Sequence, residues 1–249
     1  MLWACPDEAA RGQRQQSTLA PVRVRLPMTE NTGTQSSIGR LILGPALLTL
    51  ALTLLRLVGE LSHWSQTWFN PASGQVGPLG AVLILLAPLF GIRFALWLAR
   101  TGEGPRSVGR AFGYALLGAV MVVTAAFWVI PPFALQTQFT GKLELGYLIL
   151  TVAAVLQFLG WSPLAKTQLA YGYAARIPIV VIMLLARQGH WGTHFDNLPP
   201  GFPLMNFWPT SLYVALLPQL LFWISYTVVS GSLLGTITAV FVKRGAPPS

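Results

Sequence analysis

Six apolar runs constrain this chain more than any other feature. They cover approximately 40–60, 78–99, 108–131, 143–161, 168–187 and 210–242. A hydrocarbon layer of about 30 Å is crossed by about 20 helical residues. Lipid offers no partner to backbone N–H and C=O groups, so each run must satisfy its own hydrogen bonds, which selects helix. The predicted fold is therefore all-α, a polytopic transmembrane helix bundle of about six membrane-spanning helices. Composition agrees, with 53% hydrophobic and 9% charged residues, against roughly 25% charged in an ordinary soluble domain. The last run is too long for one upright crossing and is expected to tilt or to break at Pro218.

Basic residues orient the bundle. With the N-terminus inside, Arg40, Arg100, Arg106, Arg110, Lys166, Lys243 and Arg244 are cytoplasmic, and Lys142 and Arg187 lie outside. Short cytoplasmic loops favour Lys and Arg, so both ends are expected inside. Trp64, Trp68, Trp128, Trp191 and Trp208 then fall near the outer boundary, and Trp97, Trp161, Tyr171 and Tyr173 near the inner one. The net charge of +9 is read as an orientation signal, not a nucleic-acid surface. Arginine outnumbers lysine 13 to 3, which fits a GC-rich genome and a bacterial inner (plasma) membrane. The expected partners are the lipid bilayer and a membrane protein or second copy of this chain, with no nucleic acid.

The expected organisation is a disordered basic tail over 1–38, a transmembrane domain over 39–244 and a short C-terminal tail over 245–249. Residues 1–37 lack the apolar core of a secretory signal, and Met28 offers a second start that would make 1–27 an over-extended leader. Cys5, the single cysteine, excludes an internal disulfide or a multi-cysteine metal site.

The polar groups that carry chemistry cluster on one side. All three histidines, with Glu60, Glu144 and Asp196, fall outside in this topology. His63, His190, His194 and Asp196 are the candidate metal ligands, since neutral imidazole and carboxylate suit zinc and related divalent ions. Gly192 and the prolines at 199, 200 and 203 argue against one helix carrying His190 and His194, and no HExxH is present. The competing reading is a stiff aromatic loop in which His and Asp make local hydrogen bonds. "HWSQTWFN" at 63–70 lies over "HWGTHFDN" at 190–197 at an offset of 127, a hint that the two outer loops share a task.

Three arginines lie within apolar runs, where an ionisable residue is a functional candidate. Arg56 precedes Glu60 by four residues and is expected to pair with it. Arg93 can snorkel inward. Arg176 lies either at the inner surface, if Tyr171 and Tyr173 mark it, or deep beside Pro178. At depth it would meet Gln157, Gln219, freed carbonyls or an anionic ligand, so Arg176, Gln219 and Gln157 are the candidate substrate-binding residues. Gly109 with Gly113, and Gly231 with Gly235, are spaced for a close contact between the third and sixth helices.

No Walker loop, GxGxxG, GxSxG elbow or kinase set is found. Three functional classes remain. The sequence favours a non-catalytic interaction or assembly subunit working through its outer loops. The alternatives are a small-solute transporter or channel-like protein with a polar cavity at Arg176 and Gln219, and a metal-dependent membrane enzyme using the four candidate ligands.

Overall fold

A computed structural model describes residues 32–72, 77–129 and 142–244. The predicted features of residues 1–31 and 245–249, including Cys5 and the alternative start, lie outside these. Every regular element among the described residues is helical: α1 (Thr32–Leu61), α2 (Gly77–Arg100), α3 (Val108–Thr124), α4 (Lys142–Gly189), α5 (Phe207–Ser211) and α6 (Trp223–Arg244). Five stretches are long and apolar enough to cross a membrane: Ile38–Leu61, Gly77–Arg100, Val108–Phe127, Leu143–Gly189 and Phe207–Phe241. α1 begins at Thr32, so residues 32–38, expected in the tail, are helical.

The largest departure from the sequence reading is α4. The expected loop after residue 161 is helical, and only Trp161 leaves helical geometry, at φ −145° and ψ 83°. Pro163, two residues on, supplies the cause: it has no N–H to give the preceding turn, and its ring clashes with the carbonyl four residues back. Proline is nonetheless well suited to the first turn of a helix, so a second helical arm starts at once.

The two arms have different neighbours. On the first, Leu150 and Ala153 cluster with Val122 and Ala125, and Gly160 abuts Ala111 and Tyr114. On the second, Tyr171 hydrogen-bonds Thr49 of α1 at 2.9 Å, and Met183 packs with Leu57, Phe195 and Ala215. At the kink, the Trp161 indole donates to the Glu103 carbonyl at 2.8 Å. Trp161 and Tyr171 are thus core residues, clustered with Leu41, Phe94, Leu98, Ala111 and Ala239.

The last run neither stays regular nor breaks. Two five-residue π-helical segments, Leu212–Leu216 and Pro218–Phe222, lead from α5 into α6. Proline cannot donate within a helical ladder, and such wider turns absorb the defect.

The glycine contact expected between the third and sixth helices forms elsewhere. A Cβ on Gly109 or Gly113 would meet nothing, whereas Gly231 lies against Gly91 of α2 and the Gln168 side chain. Gly235 faces Ala95 and Leu164. Small residues let α2, α4 and α6 approach closely, as apolar solvent requires of helices held by packing. Replacing Gly91 by Ala should therefore cost about 1–3 kcal/mol, the usual range for overpacking. Gly109→Ala should be neutral or slightly stabilising. Thermal unfolding in detergent, with equal melting temperatures for the two variants, would contradict this packing.

Candidate polar cavity and its carboxylate anchor

The candidate site is organised by Glu60, at the end of α1. Its side chain is 0% exposed and accepts from Arg56 Nε at 2.8 Å, realising the pairing expected from the four-residue spacing. A buried carboxylate needs several donors to offset lost hydration. The remainder come from the loop after α4. His194 Nδ1 lies 2.6 Å from Oε1 and 2.8 Å from Oε2, and the His194 backbone N–H donates to Oε2 at 2.9 Å.

The loop is shaped for this attachment. Asp196 accepts from the Gly192 N–H at 2.9 Å and from the Thr193 N–H and hydroxyl, both at 2.7 Å. Gly192 supplies a positive φ of 70°, which glycine adopts without steric cost. Phe195 is buried beside Leu57 and Met183. Asn197 donates to the Pro71 carbonyl at 2.9 Å, so the two loops that share the HW…N pattern are joined.

That pattern has a mechanical explanation. His63 and His190 both adopt left-handed backbone, with φ 51° and 50°. The following Trp64 and Trp191 N–H groups reach back to the carbonyls of Gly59 at 2.9 Å and Ala186 at 3.2 Å. This is the Schellman termination of a helix, usually completed by glycine or asparagine; histidine is among the residues enriched at positive φ.

The four proposed metal ligands accordingly hold separate posts. His63 and His190 terminate α1 and α4, Asp196 closes its own turn, and His194 is attached to Glu60. Among the described residues no group of three or more His, Cys, Asp or Glu could hold a metal ion.

Beside the Glu60 anchor lies a cavity of ≈ 300 Å³, at the lower end of the range for small-molecule sites. Its polar lining includes Thr53, Arg56, Arg176, His194 and Gln219, with Leu83, Ile84, Ile179 and Met183 among the apolar walls. Arg176 lines this cavity. It donates to Gln219 Oε1 at 3.3 Å and lies 4.6 Å from the Trp223 ring centroid, a cation–π distance. Among the described residues it has no carboxylate partner.

Gln157, the third candidate, belongs elsewhere. It donates to the carbonyls of Tyr114 and Ala153 at 3.1 and 2.9 Å and braces α3 against α4. Arg93 is exposed. Sequence reasoning identified Arg176 and Gln219 but missed Trp223 and the link from Glu60 to His194, whose partners are 134 residues apart.

Burial lowers the pKa of the His194 imidazole below its ordinary 6.5, and the positive charge of Arg56 acts in the same direction; the Glu60 bond opposes both. The ring is therefore neutral near pH 7. Its Nδ1–H donates to Glu60, which leaves Nε2 with its lone pair. None of the described residues hydrogen-bonds Nε2.

Two outcomes follow. Glu60→Ala removes the buried carboxylate on which Arg56 and His194 converge and should cost about 3–5 kcal/mol, read as lost folded protein in detergent melts; an unchanged melt would contradict the anchor. The second concerns acid. The unfolded chain protonates His194 near 6.5 while the fold resists it, so the neutral ring's stabilisation is complete above 6.5 and lost as pH falls below it. Melting temperature should decline below that pH, and His194→Gln should remove this part of the decline.

Comparison of the chain with protein-family models, with curated proteins and with solved structures gives no match.

Proposed function

We propose that this chain is a plasma-membrane protein of the transporter or channel-like class that binds a small anion in the cavity between α1, α4 and α6. The observation that carries the reading is Arg176: a half-buried cation lining a cavity of an apolar bundle, with no acid beside it among the described residues, held by a neutral amide and an indole face. An unpaired charge is costly in such surroundings. An entering carboxylate, sulfonate or phosphate would offset that cost with charge-assisted hydrogen bonds. The apolar walls favour an organic anion over a bare inorganic one.

The reading includes six crossings with both ends cytoplasmic. A straight helix of 48 residues would be about 72 Å long at 1.5 Å per residue, more than twice the hydrocarbon thickness. The kink at Trp161 supports counting it as two arms, each of crossing length. The positive-inside count then puts Glu60, His194 and the mouth of the cavity on the outer side.

The interaction-subunit reading keeps one specific support. Leu204 is 95% and Trp208 69% exposed, a combination suited to lipid headgroups or a partner. His194, Phe195 and Asn197 of the same loop are instead tied into this chain, which favours the cavity as the working part.

Benzenesulfonate is a suitable probe, being small, apolar-bodied and fully ionised. In neutral-lipid nanodiscs it should bind the wild-type chain, and Arg176→Gln should weaken binding at least about tenfold, the effect of losing one charge-assisted contact. On a Cys5→Ser background, Gln219→Cys should react with a membrane-impermeant maleimide from the outer side and be protected by the probe. No reaction from either side would remove the cavity. Competition by phosphatidylglycerol would identify the occupant as a lipid headgroup; indifference to it would identify a soluble anion.

A further inference from the structure

The cavity that holds Arg176 also has His194 in its lining, and the two act on one enclosed volume. Its equivalent sphere is about 8 Å across, so a charge in the half of it nearer the imidazole stands within the ~4–6 Å at which an opposite charge shifts a titration by one to three pH units. The imidazole is already oriented: Nδ1 and the backbone N–H are both committed to Glu60, and no described residue occupies Nε2.

Resting on the anion-binding reading, we propose that His194 takes up a proton when an anion enters this cavity, so that anion and proton load together. The proton comes from water at the loop end of the bundle and is held on Nε2, while Nδ1–H stays on Glu60. Imidazole becomes imidazolium as one negative charge arrives, and the net charge of the occupied cavity equals that of the empty one. A low-dielectric site favours such electroneutral loading, because the opposite charges attract strongly where water screens them least.

The charged groups around the ring are consistent with this. From α1 come Glu60 and Arg56, already bonded to each other at 2.8 Å. From α4 comes Arg176, the anion's own contact. In the loop itself, Asp196 is occupied by Gly192 and Thr193. α2 contributes Gly80, Leu83 and Ile84, and the last helix Gln219 and Trp223, none of which titrates. Glu60 enters already neutralised by Arg56, so His194 is the lining group left to answer an added negative charge. Before the anion arrives, burial and Arg56 keep it neutral.

The test is benzenesulfonate binding by calorimetry in neutral-lipid nanodiscs, since the sulfonate keeps its charge throughout. From pH 8 to pH 5 the Kd of the wild-type chain should fall about tenfold, as linkage requires when the ligand favours the protonated ring. In His194→Gln, which keeps an N–H for Glu60 but cannot titrate, the same change should be under about twofold. Wild-type protein alone gives an independent reading: at pH 7, buffers of different ionisation enthalpy should reveal net proton uptake of up to one per anion. Binding that does not respond to pH, proton release on binding, or a pH response that persists in His194→Gln overturns the coupling while leaving the anion cavity intact. Absence of binding at every pH removes the cavity itself, and the coupling with it.

Discussion

A carboxylate with no exposed surface, at the end of an apolar helix, sets the terms for one end of this molecule. Glu60 is tolerable there because three donors converge on it, and those donors come from two places far apart in the chain. Arg56 arrives by helical periodicity, one turn earlier. His194 arrives through its ring and its backbone, and reaches Glu60 only if the loop after α4 folds back across the end of α1. Burying the charge and closing that loop are therefore one event, and the cavity beneath inherits its polar wall from it.

The bundle is shaped by small exceptions to regular helix. Pro163 forces the departure at Trp161 and immediately permits a new helix. Pro218 is absorbed by two widened turns, which bring Gln219 opposite Arg176. Two histidines in left-handed geometry stop α1 and α4. In an apolar solvent each exception must satisfy the backbone groups it frees, which is why they coincide with side chains such as Trp161 that bond to main-chain carbonyls. Gly91, Gly231 and Gly235 play the opposite part, removing side chains so that α2 and α6 meet closely.

Charge distribution links this architecture to the proposed role. One arginine is matched by Glu60, the other by a neutral amide and an aromatic face. The surplus of positive charge thus resides at Arg176, inside walls that are otherwise mostly aliphatic. A carboxylate-tethered imidazole beside that surplus gives the cavity both a fixed cation and a group whose charge responds to an occupant. The same features account for the preference for an anion with an apolar body.

Much was determined by the sequence itself: the lengths of apolar runs compelled membrane-crossing helices, and one-turn spacing paired Arg56 with Glu60. Such features depend on neighbours along the chain, within a turn or a run. Arg176 and Gln219 were legible as candidates because a polar residue in an apolar run needs a partner, though not which partner it would take. Tertiary structure alone decided that Gln157 braces α3 against α4, that glycine contact joins α2 to α6, and that His194 holds Glu60 while His63 and His190 end helices. It also buried Tyr171 and Trp161 in the core, which aromatic character alone did not disclose. These outcomes turn on which faces meet when the helices pack, and helical periodicity fixes the faces of one helix without fixing the helix that covers them.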